Sequence, residues 1–133
     1  MVSRPVSRMV VMVVLLSLAV GATARAQTPW AAPESEKGKK SPVAASPQAV
    51  EEGKKVAQIN CVSCHGKSGK GDGAAAMALN PKPADWTSAR VQDESDGALF
   101  WKITTGRGAM PSWRHLPEKD RWALVQYIRT LKK

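Results

Sequence analysis

The chain has only two cysteines and two histidines among its 133 residues, and three of those four stand together in the turn Asn60-Cys61-Val62-Ser63-Cys64-His65-Gly66. Nothing else in the sequence limits the fold so tightly. Residues three and four apart share one face of a helix, so a helical turn here presents Cys61, Cys64 and His65 to one common object. A fold built on this chain must lead a helix into that turn and leave one side of it open.

The flanking sequence supplies the helix. Ser46 is an N-cap residue followed by Pro47 at the first helical position, and Glu51 and Glu52 come early, where the dipole favours acids. Ala49, Val50, Gly53, Val56 and Ala57 then fall on one face, running straight into Cys61. Beyond the turn, four glycines in the eight residues from Gly66, then Pro81 and Pro83, predict a long loop with a short helix at about 74–79. Leu99, Phe100 and Ile103 predict a short helix closed by Gly106, followed by the loop 106–113. The last helix is the clearest: Pro117 and Glu118 open it, Lys132 and Lys133 close it, and Leu124, Tyr127, Ile128 and Leu131 form one stripe. Past residue 26 there is no alternating run of β-branched residues, and there is no internal repeat. The expected fold class is all-α.

The first residues read differently. Arg4 and Arg8 precede an apolar run that ends at Ala24-Arg25-Ala26, the pattern of a secretory signal cleaved after Ala26. The run is shorter than the ~20 residues of a spanning helix, and Gln27 follows the cleavage site, so no cysteine is placed there for a lipid anchor. The expected organisation is a signal peptide at 1–26, a flexible tether at 27–45 rich in Pro, Ala, Ser and Lys, and one folded domain at 46–133. Trp30, inside the tether, has no assigned role. A periplasmic location follows, with no stable membrane insertion after cleavage. Removing Arg4, Arg8 and Arg25 takes the net charge from +9 to +6. An exported chain lacking a basic helix with interleaved aromatics is a poor nucleic-acid binder, so its excess charge points to partners with acidic docking faces.

Several chemistries use paired cysteines. A thioredoxin-like dithiol belongs beside a βαβ pattern, which is missing. A structural zinc site needs four ligands, Cys64 and His65 are adjacent, and only His115 remains as a further soft donor. Gly66-Lys67-Ser68 fails as a phosphate-binding loop, because its first glycine would have to stand at Cys61 and no strand precedes it. The glycines are better read as turn residues that bring the loop close to a cofactor edge. C-x-x-C-H, in contrast, is the attachment signature for c-type haem. Two thiols add across two vinyl groups, and His65 becomes an axial ligand. A second axial ligand could come from Met110, Met77 or His115. Met110 is favoured: glycines before it allow close approach, and Pro111 keeps it extended and out of a helix. A thioether also stabilises ferrous iron and raises the potential. Met77, in an alanine-rich patch, reads as packing, and His115 as a surface residue leading into the last helix.

From about Ser46 to Leu131 the chain resembles the small monohaem class I cytochromes c of bacteria. Cys61, Cys64 and His65 match that family's haem turn, Met110-Pro111 its methionine loop, and the segment from Trp122 to Leu131 its closing helix. The resemblance implies that the first and last helices cross with Gly53 against Tyr127, and Val56 stands where the family often has an aromatic. It implies that a backbone carbonyl from Pro81 or Pro83 orients the histidine, and it brings Trp86 and Arg107 towards the propionates. The function it implies is that of an electron transfer protein, not an enzyme. One covalent haem c with His/Met ligation would shuttle single electrons between respiratory complexes or periplasmic dehydrogenases, with Lys67 and Lys70 around its exposed edge. The alternatives are a peroxidase-like haem enzyme or gas binder with a labile sixth ligand, and a cytochrome subunit of a dehydrogenase or oxidase complex.

Overall fold

Ser46 sets the start of the first long helix as its side chain predicts. In the computed structural model, which describes residues 29–133, the Ser46 hydroxyl accepts from the Ala49 amide at 3.1 Å with Pro47 at the first helical position. The signal peptide expected at 1–26 lies outside the described residues. A short helix α1 (Glu34–Lys37) comes first, then α2 (Pro47–Asn60) and the one-turn α3 (Val62–His65). A 3-10 turn at Ala76–Ala78, the short α4 (Ala89–Gln92), α5 (Asp96–Thr105) and α6 (Glu118–Arg129) complete the chain. Among the described residues the only β pairing is the isolated bridge between Arg107 and Met110. None of their helices is long and apolar enough to cross a membrane.

The fold is organised by α2 lying across α6. A Cβ placed on Gly53 would sit 2.0 Å from the Ala123 carbonyl oxygen and 2.9 Å from the Leu124 amide nitrogen, so the helices touch backbone to backbone. The resemblance put Tyr127 against Gly53. The atoms nearest that Cβ belong to Ala123 and Leu124, and Tyr127 follows Ala123 by one turn on the same face of α6. Tyr127 is buried further along. Trp122, Leu124 and Val125 are the largest fully buried side chains among the described residues, each worth roughly 1.5–3 kcal/mol by burial. Trp122 stacks on Phe100 of α5 with ring centroids 4.0 Å apart. Ile128 contributes its carbonyl as well as its side chain: the buried Gln92 amide donates to it at 2.9 Å and to the Trp86 carbonyl at 2.6 Å, tying the long middle loop to α6.

The segment expected to be a flexible tether touches the domain at several points among its described residues, though most of them are exposed. Ala32 is buried, α1 lies against α5, and Trp30 tilts over Trp101 at 6.4 Å with the Lys102 ammonium 5.4 Å from its ring. Val43 packs against the core, and its carbonyl accepts from Gln126 at 2.9 Å. Such a segment shows no apolar period because it builds no core of its own. Trp30, Ala32 and Val43 instead lodge singly in the surface of the domain. Elsewhere the expected helices form within a few residues: the one at 74–79 shrinks to the 3-10 turn, and the last ends at Arg129, just short of Leu131.

Candidate functional site

The cysteine turn is a hinge between two helices. Cys61 ends α2, its amide donating to Ala57 at 2.8 Å, and also starts α3, its carbonyl accepting from His65 at 2.8 Å and Cys64 at 3.2 Å. A one-turn helix leaves its last carbonyls without partners. Here the glycine loop supplies them: the amides of Ala75, Gly73 and Gly71 donate to the carbonyls of Ser63, Cys64 and His65 at 2.9, 3.0 and 2.8 Å. Gly71 has φ 73°, and a Cβ there would meet the Pro83 carbonyl at 2.4 Å. The loop glycines therefore let one backbone run press on another, and residues 83–86 are carried up to His65.

The consequence is a single hydrogen bond. His65 is buried, and its Nδ1 donates to the Ala84 carbonyl at 3.0 Å. A carbonyl can only accept, so Nδ1 carries the proton and Nε2 keeps its lone pair. Burial lowers the His65 pKa, against a smaller upward pull from the Ala84 bond, so the neutral ring is favoured. Its plane is fixed by Trp86, stacked at 4.4 Å and 23°. The resemblance named Pro81 or Pro83 as source of the orienting carbonyl. It is Ala84, because Pro83 already turns its own carbonyl towards Gly71.

The thiols differ. Cys61 is buried and Cys64 half-buried, and they are not joined in a disulfide. Burial first, and the neighbouring Cys64 second, push the Cys61 thiol up to about 12, so it is neutral at physiological pH. Met110 lies in the turn that follows α5. Gly106 closes that helix with φ 65°, the Arg107 amide donates to the Met110 carbonyl at 2.9 Å, and the Met110 amide returns a bond at 3.0 Å. Half-buried, Met110 packs against the same cluster that includes Cys61 and Trp86. The other two axial candidates stand apart from that cluster. Met77 is 84% exposed and not packing as expected, since Ala76 takes the inward place in the 3-10 turn. His115 is exposed, its ring tilted against Trp113 at 5.6 Å.

Residues 48–128 match the family described as cytochrome c oxidase, cbb3-type, subunit III. The chain belongs to this family. Cbb3-type cytochrome c oxidase subunit CcoP of Azospirillum brasilense is 34% identical over 85 residues, which cover 62% of this chain and 28% of CcoP. The chain thus spans less than a third of that relative's length. Two solved structures share the fold. The Kuenenia stuttgartiensis reducing HAO-like protein complex Kustc0457/Kustc0458 superposes with a TM-score of 0.60 at 26% identity, over 70% of this chain and 48% of the other. The KustC0563 c-type cytochrome gives 0.54 at 25% identity, over 61% of this chain and 98% of its own. The fold is therefore the all-α arrangement of c-type cytochromes, with first and last helices packed together.

A cytochrome c domain of the cbb3 subunit III family implies covalent haem c, and the residues present suit that group. Two free thiols stand three apart at the end of α2, and thioethers formed from them would place no charge in the buried position of Cys61. The adjacent imidazole is held in the tautomer that leaves Nε2 available to a metal. Sequence reasoning missed Ala84, which a carbonyl contact makes invisible at the level of residue type. It also missed the stacking of Trp86 on His65, for which the spacing of the tryptophan gave no signal.

Proposed function

We propose that this cytochrome c domain is a periplasmic single-electron carrier with Cys61 and Cys64 as the haem attachment points and His65 and Met110 as axial ligands. When bound, haem c supplies an iron that alternates between ferrous and ferric. The chain's own residues hold the geometry constant. The three backbone bonds from the glycine loop fix the turn, Ala84 and Trp86 fix the His65 ring, and the paired amides of Arg107 and Met110 fix the opposite loop. Ligands held this way move little when the charge on the iron changes, and that favours rapid transfer over substrate chemistry. The observation that carries the reading is the Nδ1 to Ala84 bond, which commits Nε2 of a buried, neutral His65 to acting as a donor. Its partners would be redox proteins with acidic docking surfaces, among them respiratory complexes or periplasmic dehydrogenases, met through the exposed Lys67 and Lys70. The similarity to an oxidase subunit and to a member of a multi-protein complex supports partners of that kind.

The test is the mature protein made with working haem-attachment machinery. Its mass should exceed that of the polypeptide by one haem and stay so through acid extraction, and its ferric spectrum should show the weak long-wavelength band of methionine ligation. Replacing Met110 by Ala should abolish that band and leave the mass unchanged. A bare polypeptide mass refutes the reading.

A further inference from the structure

Among the described residues Arg121 is the one arginine with less than a tenth of its surface exposed, at 8%. Among the described residues no carboxylate forms an ion pair with it. A buried cation without a counter-ion is costly unless its donors are all used to purpose. Its Nε donates to the Leu116 carbonyl at 3.2 Å, its Nη1 donates to the Thr104 hydroxyl, and its guanidinium lies 4.8 Å from the centre of the Phe100 ring. The two acceptors stand at opposite ends of one loop. Thr104 is in the last turn of α5 and Leu116 lies just before Pro117, the N-cap of α6, so the planar fork of Arg121 spans the neck of the segment that carries Met110. Two further bonds run along the same neck: Ser112 donates to the Thr104 carbonyl at 2.7 Å and the Trp113 amide to the Ile103 carbonyl at 3.1 Å.

We propose that Arg121 is a positioning residue for Met110: by clasping Leu116 to Thr104 it closes the loop 106–116 and keeps the thioether engaged against competing ligands. This rests on Met110 being the sixth ligand. A loop whose ends are pinned has fewer open conformations to reach. Releasing the pin raises the population in which methionine is off and an external ligand can bind, without requiring the domain to unfold.

The experiment titrates imidazole into the ferric holoprotein and follows the methionine long-wavelength band. Arg121→Gln, which cannot bridge both acceptors, should bind imidazole about tenfold more tightly than the wild type, and Thr104→Val about threefold, as expected for loss of hydrogen bonds to a charged donor. Val125→Ala, a core truncation at a residue 1% exposed, should keep imidazole affinity within about twofold despite lower stability. If Arg121→Gln yields no holoprotein, Thr104→Val decides alone. A wild type lacking the band removes Met110 ligation and this inference with it. A wild type that shows the band while both loop variants bind imidazole no more tightly, or while Val125→Ala binds it as tightly as they do, overturns the clasp alone.

Discussion

Replacing Gly53 by Ala sets two effects of opposite sign against each other. In an exposed helix the change is favourable by about 1 kcal/mol, because alanine loses less backbone freedom than glycine. At Gly53 the added methyl would stand 2.0 Å from the Ala123 carbonyl oxygen and 2.4 Å from its carbon. Both are backbone atoms of a helix and cannot rotate away. Regaining the 3.4 Å of ordinary contact needs α2 and α6 to part by about 1.4 Å. That opens the packing around the buried residues on the facing side of α6. Overpacking of this kind costs typically 1–3 kcal/mol and at times more. The upper end applies here, because the clash is with main chain on both sides of the domain's principal contact. After the propensity gain, about 2 kcal/mol of net destabilisation remains, equivalent to roughly 8–16 °C in Tm for a domain of this size. Thermal unfolding of the holoprotein followed by far-UV circular dichroism measures it. A Tm equal to or above that of the parent would mean that the helices do not touch at Gly53 and that the crossing described here is wrong.

Two other outcomes follow from the surface and the middle loop. Reversing charge at Lys67 and Lys70 together should slow electron transfer to an acidic partner about tenfold at low ionic strength, with the difference shrinking towards 0.15 M salt, where the Debye length is ~8 Å; stopped-flow rates across a salt series test this, and equal rates at low salt would remove the steering role. Bonds from the Thr87 hydroxyl first and the Thr87 amide second, at 2.7 and 2.8 Å, hold the Asp85 carboxyl below the usual carboxylate range. Its folded value being depressed, the stability it adds is complete above the unfolded value of about 4 and is lost as pH falls through the folded one. Thr87→Val should therefore move acid unfolding, followed by circular dichroism, to higher pH.

The parts of this molecule legible from sequence are those written in side-chain type. The Ser46 cap, the stripe on α6 and the Cys61-Cys64-His65 turn each carry a local pattern that the fold reproduces. What stayed hidden depends on backbone atoms meeting across long separations. Ala84 holds His65 with a carbonyl that any residue would offer, and Ala123 meets Gly53 in the same anonymous way. The segment from Pro29 to Ala45 misled for a related reason: Trp30, Ala32 and Val43 are too sparse to make a period, yet each finds a place on a surface built by others. Arg121 is a basic residue near the start of a helix whose first turn is acidic, and nothing in that setting announces a buried bridge between two loop ends.

The rungs between the glycine loop and the carbonyls of Ser63, Cys64 and His65 are made wholly of main chain. Side chains between those rungs, Lys67, Ser68 and Lys70 among them, point no hydrogen bond into the ladder and are free to change. On the proposed reading, in which Lys67 and Lys70 meet the partner, docking and the hold on the imidazole are thus recorded on different atoms of one short segment. Mutation could then rewrite the first without disturbing the main-chain bonds that carry the second.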